Sequence, residues 1–480
     1  MKGLALALVI LAVLAFLWDG FFYSKVLVLI MAGLMFIGSL STYADDRTGL
    51  INPWVIFALS FIQYYFLGPL DTFFFHDWMA LQTVMFGHLG FGDDTALAKA
   101  ILTSLIGLCA IIVGYHTYML VTNRRLVGVK TGQYEFNRRR MLLGILLSGL
   151  FGMLAVLAFF QQVGFINYVT TERSMRYFLF SEAANFGFFV DFFATAFVLF
   201  SVYVIESNRD KVYRSLWLII LLLIPYIYFN IAIFSGSRIT VIRPVLIVGF
   251  YWMLRSGATR LNWRIAILFV TLILFAMIGG IFRTIMAVDH PLDALLLFMS
   301  SMSVELAFNV ATQAFDFSTT YDIFLMLNNQ NFDFGLGDTY LKLLYQFIPR
   351  SLWLEKPENV TLVMSHLFRP EQFDLGVSYN PSLLGEMYYN FGLAGVVMGC
   401  FLVGIGISWL YIFGRNTIKS PPMVLIYAVL IVSIIEQGRG ALSNITMTYV
   451  IFYILPILLM TRYSKASIKA QSPIIEKPTR

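Results

Sequence analysis

Arginines stand at the ends of several long apolar segments of this chain, where their type and position suit an anionic ligand. Burying an arginine near lipid costs about 2.5–3.5 kcal/mol, so several of them at separate segment ends need a physical reason. A guanidinium can donate two parallel hydrogen bonds to a phosphate, and a bound phosphate is the simplest such reason. The arginines concerned are Arg173, Arg176, Arg238, Arg283 and Arg439, and Arg243 lies inside the apolar segment that follows Arg238.

The sequence SGSR, which ends at Arg238, favours a phosphate site. An apolar helix is predicted to follow it, and the free N–H groups and positive dipole end of a helix N-terminus attract anions. Ser235 or Ser237 can cap that helix. Arg243 is predicted about 140° around the same helix from Arg238, so the two can share a ligand only if Arg238 lies in the turn. The alternative is that Arg238 reaches lipid headgroups and that Arg243 pairs with an acid such as Asp191; for Arg243 the pairing is favoured.

The other arginines have local partners that compete with a ligand. Arg439, in EQGRG, stands three residues after Glu436, and a salt bridge at this spacing is as consistent with the sequence as an anion site. Arg173 and Arg176, in TTERSMR, have glutamates close by in the sequence, and pairing with them is slightly favoured. Arg283 ends an apolar segment in GGIFR.

The segment 284–391 is long, polar and acidic, with twelve acids against four bases and frequent aromatic residues. Carboxylates beside aromatic rings suit a ligand that offers hydroxyls and C–H faces, such as a sugar. The same composition is typical of an amphipathic lid whose aromatic residues lie at a membrane interface. For any single aromatic residue the interfacial reading is preferred.

A carboxylate in this segment could take the proton from an acceptor hydroxyl. Glu386 is the candidate base, because it lies in SYNPSLLGEMYYNFG with glycine and aromatic residues around it. A capping or salt-bridging acid in an amphipathic helix fits Glu386 equally well. Glu305 is the reserve candidate, and Tyr379, Asn380 and Arg350 are predicted to contact or position the sugar.

The remaining reactive residue types form no recognisable site. The five histidines are scattered, and no metal-ligand spacing or glycine-rich nucleotide fingerprint occurs. Cys109 and Cys400 both fall in apolar segments, where cysteine is typical core filler. The sequence therefore predicts no metal and no cofactor.

These residues must be positioned by membrane-spanning helices. The chain is 59% hydrophobic and 12% charged, more apolar than a soluble globule at about 45–50%. Because lipid requires every backbone polar group to be paired within the protein, the fold class is all-α, a polytopic helical membrane protein with about twelve spans. The predicted spans are 4–18, 25–42, 51–68, 95–120, 141–162, 186–206, 215–233, 239–254, 265–282, 393–414, 423–436 and 446–461.

The positions of lysine and arginine predict the orientation. Basic residues concentrate in segments 122–140, 209–214 and 255–264 and in the tail, and the positive-inside rule makes these segments cytoplasmic. Both termini are then cytoplasmic and the long segment lies outside. The net charge of +6 mainly reflects this asymmetry, so it does not indicate a nucleic-acid partner.

The chain is therefore divided into four parts. Residues 1–283 form spans one to nine, 284–391 a loop domain outside the membrane with amphipathic helices, 392–462 spans ten to twelve, and 463–480 a basic cytoplasmic tail. An active site outside the membrane has no access to nucleotide-activated sugars. A glycosyl donor must then arrive attached to lipid, and a lipid diphosphate is an anion at the membrane surface.

Five short motifs together resemble the Wzy-type O-antigen and repeat-unit polymerases: SGSR with its apolar run, GGIFR, FIPRSLWLEKP, YNPSLLGEMYYNFG and EQGRG. The resemblance covers most of the chain from span five onward; before residue 140 it is one of topology. It implies a bacterial inner-membrane, processive glycosyltransferase of the GT-C-like class that requires no metal. Such enzymes transfer a growing glycan from undecaprenyl diphosphate onto a new lipid-linked repeat unit at the periplasmic face.

The resemblance also implies roles for residues and partners. The family's arginines correspond to Arg238, Arg283 and Arg439, and less directly to Arg173 or Arg176. A basic position after the proline–aromatic stretch falls on Lys356, where lysine lacks arginine's bidentate grip on phosphate. The implied partners are undecaprenyl-diphosphate-linked oligosaccharide, membrane lipids, a chain-length regulator and a flippase.

Three other functions stay open on the sequence alone. An O-antigen ligase shares the architecture but moves finished glycan onto the lipid A core; related ligases use a histidine base, and neither His290 nor His366 lies in a matching motif. A flippase or other transporter is expected to place its charges along a central cavity near the midplane. A scaffold subunit of a polysaccharide machine would use its arginines only to bind lipid.

Overall fold

The structure is a computed structural model that describes part of the chain. The described residues are 22–42, 51–69, 94–123, 133–170, 189–207, 239–257, 317–345, 348, 353, 356–368, 370, 378–417 and 420–464. The predicted spans 4–18, 215–233 and 265–282 lie outside these residues.

Helices dominate the described part of the chain. The helices are α1 Phe22–Thr42, α2 Pro53–Phe61, α3 Asp94–Asn123, α4 Arg138–Val163, α5 Phe165–Thr170, α6 Phe192–Ser207, α7 Ile239–Ser256, α8 Phe317–Asn329, α9 Asp338–Tyr345, α10 Val360–Phe368, α11 Leu383–Thr417, α12 Pro421–Gln437, α13 Leu442–Tyr449 and α14 Leu455–Met460. Two strands, β1 Gln133–Phe136 and β2 Thr461–Ser464, accompany them, and π-helical turns follow α2 and α13 at Ile62–Phe66 and Val450–Ile454.

Local sequence explains where several of these helices begin and end. Asn52 caps α2 by accepting a hydrogen bond from the Trp54 N–H at 2.9 Å, and Pro53 suits the first helical position. Asn137 caps α4 in the same way. Among the described helices, α3, α4 and α11 are long and apolar enough to cross a membrane, and shorter apolar helices include α6 and α12.

The ends of the described helices gather in two regions, which hydrogen bonds identify. At one end, called the motif end, the first turn of α11 meets the last turn of α12. At the other, the ribbon end, the Ser420 hydroxyl before α12 donates to the Tyr134 carbonyl of β1 at 2.7 Å. Helices α3, α6, α7 and α11 run from the motif end to the ribbon end, and α4 and α12 run back. These directions agree with the alternation predicted from lysine and arginine.

Helix α11 is broken where the predicted span ten begins. Phe391 leaves helical geometry, and Gly392 has φ 61° and ψ −151°, a combination that essentially only glycine adopts. The helix resumes beyond this point and packs on α3 through glycines: a side chain at Gly114 or Gly404 would collide with the facing backbone. The first turns of α11, with Glu386, therefore form a separate short helix above the long one.

Helix α8, which belongs to the segment 284–391, packs against the helical bundle. Tyr321, Phe324 and Leu327 are buried in one hydrophobic core with α1, α2, α3 and α11. The Thr103 hydroxyl of α3 donates to the Asn328 side-chain carbonyl at 2.7 Å. The apolar run IFLML within α8 explains this packing, because burial of these side chains against the bundle removes apolar surface from water.

A two-stranded ribbon modifies the all-α prediction. Strands β1 and β2 pair antiparallel, with Glu135 opposite Arg462 and Tyr134 opposite Tyr463. The rings of the two tyrosines are 5.6 Å apart at their centroids. The ribbon forms because the start of α4 and the end of α14 come side by side: the Asn137 N–H donates to the Met460 carbonyl at 3.0 Å.

Candidate functional site

Two motifs that are far apart in the sequence, YNPSLLGEMYYNFG and EQGRG, meet at the motif end. The Ser382 N–H donates to the carbonyl of Arg439 at 2.9 Å, and the Leu383 N–H donates to that of Gly438 at 3.2 Å. The Arg439 side chain is half-buried. The structure thus brings together the segments of two predicted site residues, Glu386 and Arg439.

The backbone at this junction is strained on both sides. Ser382 and Ala441 have φ values of 68° and 59°, although neither is glycine, and Gly440 has φ 86°. A Cβ on Gly440 would lie 2.6 Å from the Ser382 carbonyl oxygen. Residues in such conformations cost about 1–3 kcal/mol each and concentrate at functional sites. The junction has the local geometry expected of a binding or catalytic site.

Glu386 is buried, with 1% of its surface exposed, and it caps α13. Its Oε2 accepts a hydrogen bond from the Leu442 N–H at 2.8 Å. Its Oε1 is buried, and the Thr339 hydroxyl, the Ala441 N–H and the Lys342 ammonium lie close enough to influence the carboxyl. The capping role foreseen for Glu386 is therefore present.

Asn390 ties a loop before α9 onto this site, and the sequence analysis did not single it out. Its side-chain amide donates to the Thr339 hydroxyl at 2.8 Å, and its side-chain carbonyl accepts from the Gly337 N–H at 2.9 Å. Burial raises the pKa of the neighbouring Tyr340 hydroxyl, and the charge of Glu386 raises it further. Asn390 lies within the quoted motif, but nothing in its sequence context distinguished it from its neighbours.

Helix α2 also supports the junction, although no motif was found before residue 140. The Tyr65 hydroxyl, in the π-helical turn after α2, accepts a hydrogen bond from the Leu384 N–H at 2.8 Å. A side chain on Gly438 would collide with Ser60 and Tyr64. π-Helical turns often occur at functional sites, but their positions are not evident from a single sequence.

Arg243 lies in a buried ion cluster beside the junction. Its Nε and Nη2 donate to Oε1 and Oε2 of Glu436 at 2.8 and 2.9 Å, and its Nη1 lies 3.4 Å from Asp191 Oδ2. The Tyr449 hydroxyl donates to Glu436 Oε1 at 2.8 Å, and the Arg243 guanidinium lies over the Tyr449 ring. The predicted pairing of Arg243 with Asp191 is confirmed, with Glu436 as the closer partner.

The other described candidates lie on the segments around α10. Lys356 donates from its ammonium to the Ile348 carbonyl at 2.8 Å. The Tyr379 N–H donates to the Ser365 hydroxyl of α10 at 3.0 Å, and Asn380 follows, half-buried, two residues before the strained Ser382. Tyr379 and Asn380 therefore lead directly into the junction.

Six predicted site residues lie outside the described residues: Arg173, Arg176, Arg238, Arg283, Glu305 and Arg350. Their roles stay predictions. Among the residues that the structure describes, no group of three His, Cys, Asp or Glu side chains could hold a metal ion.

Apolar helices of alternating direction, with buried charges and strained turns gathered at one end, define a membrane-spanning helical protein with a polar site at that end. A family model described as O-antigen polysaccharide polymerase Wzy matches residues 4–467. The chain belongs to this family, which confirms the resemblance seen in its motifs. No curated protein matches the chain, and no solved structure matches it either.

Membership of the family establishes several coarse properties of the chain. It is a transmembrane polysaccharide polymerase of O-antigen biosynthesis, a glycosyltransferase-type enzyme whose substrates are lipid-linked oligosaccharides.

Proposed function

We propose that this protein transfers a growing glycan from undecaprenyl diphosphate onto a lipid-linked repeat unit at the periplasmic face of the bacterial inner membrane. The observation that carries the proposal is the contact between the segments of Glu386 and Arg439, two motifs of the family, at one end of the helices. That end is the one predicted from lysine and arginine to lie outside the cytoplasm.

The proposed architecture is GT-C-like, with about twelve spans and both termini in the cytoplasm. The periplasmic loop domain covers the motif end. A chain-length regulator and a flippase are proposed partners, and no metal is required.

The reaction exchanges one C–O bond for another. A hydroxyl oxygen of the acceptor sugar attacks the anomeric carbon of the donor glycan, and the bond from that carbon to the diphosphate breaks. The diphosphate leaves with the electron pair, and its negative charge grows in the transition state. Arg439, with Arg238 and Arg283, would stabilise that charge.

Glu386 is the proposed acceptor of the hydroxyl proton. The cap on α13 uses Oε2, so Oε1 can accept the proton without breaking that cap. Because the carboxyl is buried, the residues that cover it must move before an acceptor sugar can reach it. Arg350, Lys356, Tyr379, Asn380, Glu305, Arg173 and Arg176 are proposed to bind the sugars or the diphosphates.

The test of Arg439 measures polymerisation directly. Full-length protein in nanodiscs is supplied with lipid-diphosphate-linked repeat units, extracted from cells that lack the protein. Arg439→Ala is expected to lower kcat about 100- to 1000-fold, as for loss of one charge-stabilising donor. The matched control is Arg415→Ala at the ribbon end of α11, where the guanidinium lies over the Tyr411 ring; its rate should stay within about twofold. Wild-type rates in Arg439→Ala would remove Arg439 from catalysis.

The variant Glu386→Gln removes the proposed base and keeps the cap on α13. The amide oxygen of glutamine can still accept from the Leu442 N–H, but the amide cannot act as the base. We expect kcat to fall about 100-fold or more with little change in thermal stability. A kcat close to that of wild type would leave Glu386 with the capping role alone.

The lipid-linked material that accumulates in cells lacking the protein discriminates the proposed polymerase from a ligase. Single repeat units on the carrier support a polymerase, and finished polymer on the carrier supports a ligase.

A further inference from the structure

We infer that Arg243, Glu436 and Tyr449 form a positioning cluster that holds the turn carrying Arg439. The inference rests on the proposed function of Arg439, and it assigns a role to three residues that touch no substrate. It explains why a buried arginine, a glutamate and a tyrosine from three helices converge directly behind one motif.

Arg243 and Tyr449, from two different helices, both donate hydrogen bonds to the Glu436 carboxylate. Both of its oxygens accept from the Arg243 guanidinium, and one also accepts from the Tyr449 hydroxyl. Glu436 is almost completely buried, so water cannot substitute for these partners. A planar, bidentate arginine–carboxylate pair fixes orientation as well as distance. The side chain of Glu436 is therefore held in one position relative to α7 and α13.

The backbone of Glu436 begins the turn that carries Arg439. The Glu436 carbonyl accepts from the Arg439 N–H at 3.0 Å, and the Gln437 carbonyl accepts from the Gly440 N–H at 3.0 Å. On its other side the turn is held by the N–H groups of Ser382 and Leu383. The cluster thus anchors one side of a strained turn whose other side is anchored by the Glu386 segment.

The stability of the bundle alone does not account for such a cluster. Replacing a buried ion pair by apolar residues of similar volume is often neutral or stabilising. A buried, directional pair does provide a defined geometry, and a displacement of about 1 Å in a catalytic group can lower a rate about 100-fold. The cluster's position behind the Arg439 turn indicates that geometry is what it supplies.

The chain contains its own control for this inference. At the ribbon end of α6 and α7, Arg255 donates to both oxygens of Glu206 at 2.8 and 3.1 Å, and the Tyr251 hydroxyl donates to Glu206 at 2.7 Å. These residue types and hydrogen bonds match those of Arg243, Glu436 and Tyr449; the motif-end cluster differs in having Asp191 as a second acid beside its arginine. About twelve residues of α7, or about 18 Å, separate the two arginines.

The experiment compares Glu436→Gln with Glu206→Gln in the nanodisc polymerisation assay with extracted lipid-linked repeat units. Glutamine is isosteric and keeps an acceptor oxygen for the arginine, so both variants should fold. We expect Glu436→Gln to lower kcat about tenfold, with KM within about threefold, because Arg439 acts mainly on charge that grows in the transition state. For Glu206→Gln we expect kcat within about twofold of wild type.

A second pair of measurements tests whether the effect passes through Arg439. Tyr449→Phe removes one hydrogen bond to Glu436 and is expected to lower kcat about threefold. On an Arg439→Ala background, Glu436→Gln should cause no further loss, because the group that it positions is gone. A merely structural role of Glu436 would cause the same additional loss on both backgrounds.

Three results would overturn the positioning role. They are an unchanged kcat in Glu436→Gln, equal losses in Glu436→Gln and Glu206→Gln, and losses that add to that of Arg439→Ala. Any of these, with Arg439→Ala slowed as expected, refutes the cluster's role and leaves the proposed function intact. Wild-type activity in Arg439→Ala removes Arg439 from catalysis and refutes the positioning role with it, and that result is read from the single variant before the cluster is considered.

Discussion

Two arginine–glutamate–tyrosine clusters of the same chemistry lie at opposite ends of α6 and α7, and their surroundings differ. At the motif end, Glu436 has 5% of its side chain exposed. At the ribbon end, Glu206 has 22% exposed, and Arg255 and Glu206 line an open cavity of about 460 Å³ with Arg138 and Tyr203. The arginine–glutamate–tyrosine contacts alone do not distinguish the clusters; access to water and the second acid, Asp191, beside Arg243 do.

The difference in access to water determines how well each cluster tolerates the loss of a hydrogen-bond partner. Water can replace lost partners at Glu206, so its pair with Arg255 joins two helix ends and tolerates change. At Glu436 no water replaces a lost partner, and Asp191 brings a second carboxylate to the same arginine. The motif-end cluster is therefore intolerant of change, and it is also the one joined to a family motif by backbone hydrogen bonds.

Removing the arginine is expected to give the largest difference in stability between the two clusters. Arg243→Ala leaves two carboxylates facing each other without their cation, and we expect it to lower the free energy of unfolding by about 3–5 kcal/mol. Arg255→Ala should lower it by about 1–2 kcal/mol, because Glu206 regains water. Unfolding in denaturing detergent measures both. Equal losses would show that the two ends are equally closed to water.

A glycine with positive φ at the motif end and another at the ribbon end allow the same comparison for the backbone. Gly440 and Gly257 both have positive φ, but a Cβ on Gly440 would meet the Ser382 carbonyl, whereas one on Gly257 meets nothing within 4 Å. We expect Gly257→Ala to cost about 1–2 kcal/mol of unfolding free energy from φ strain alone. Gly440→Ala should cost about 2–4 kcal/mol, because overpacking adds to the strain. A smaller loss for Gly440→Ala than for Gly257→Ala would contradict the tight junction.

The smallest effect is expected in the ribbon, where Arg462 lies 3.5 Å from Glu135 and both side chains are about half exposed. Exposed ion pairs contribute about 0–1 kcal/mol, so Arg462→Ala should change the unfolding free energy by at most about 0.5 kcal/mol. The difference from wild type should shrink further in 1 M salt, because salt screens exposed charges. A loss above about 2 kcal/mol would show that the ribbon is structurally essential.

The helical character of the chain was predictable because its cause is local: apolar runs of spanning length are visible in short stretches of sequence. The asparagine caps and the break of α11 at Gly392 were not part of the prediction. The contact of Glu386 with Leu442 was not predictable, because the two residues are far apart in the sequence. The packing of α8 against the bundle was not predictable for the same reason: its partners in α2, α3 and α11 lie in distant parts of the chain.

The sequence by itself determined the class of protein, its long apolar helices and the two motifs that meet at the site. Hydrophobicity, charge asymmetry and helix signals act over a few residues, so a single chain shows them. Only the tertiary structure decided that Glu436, 193 residues away, is the main partner of Arg243, and that the Glu386 segment holds the Arg439 turn. Those choices depend on which helix faces pack together, and packing is a property of the whole bundle.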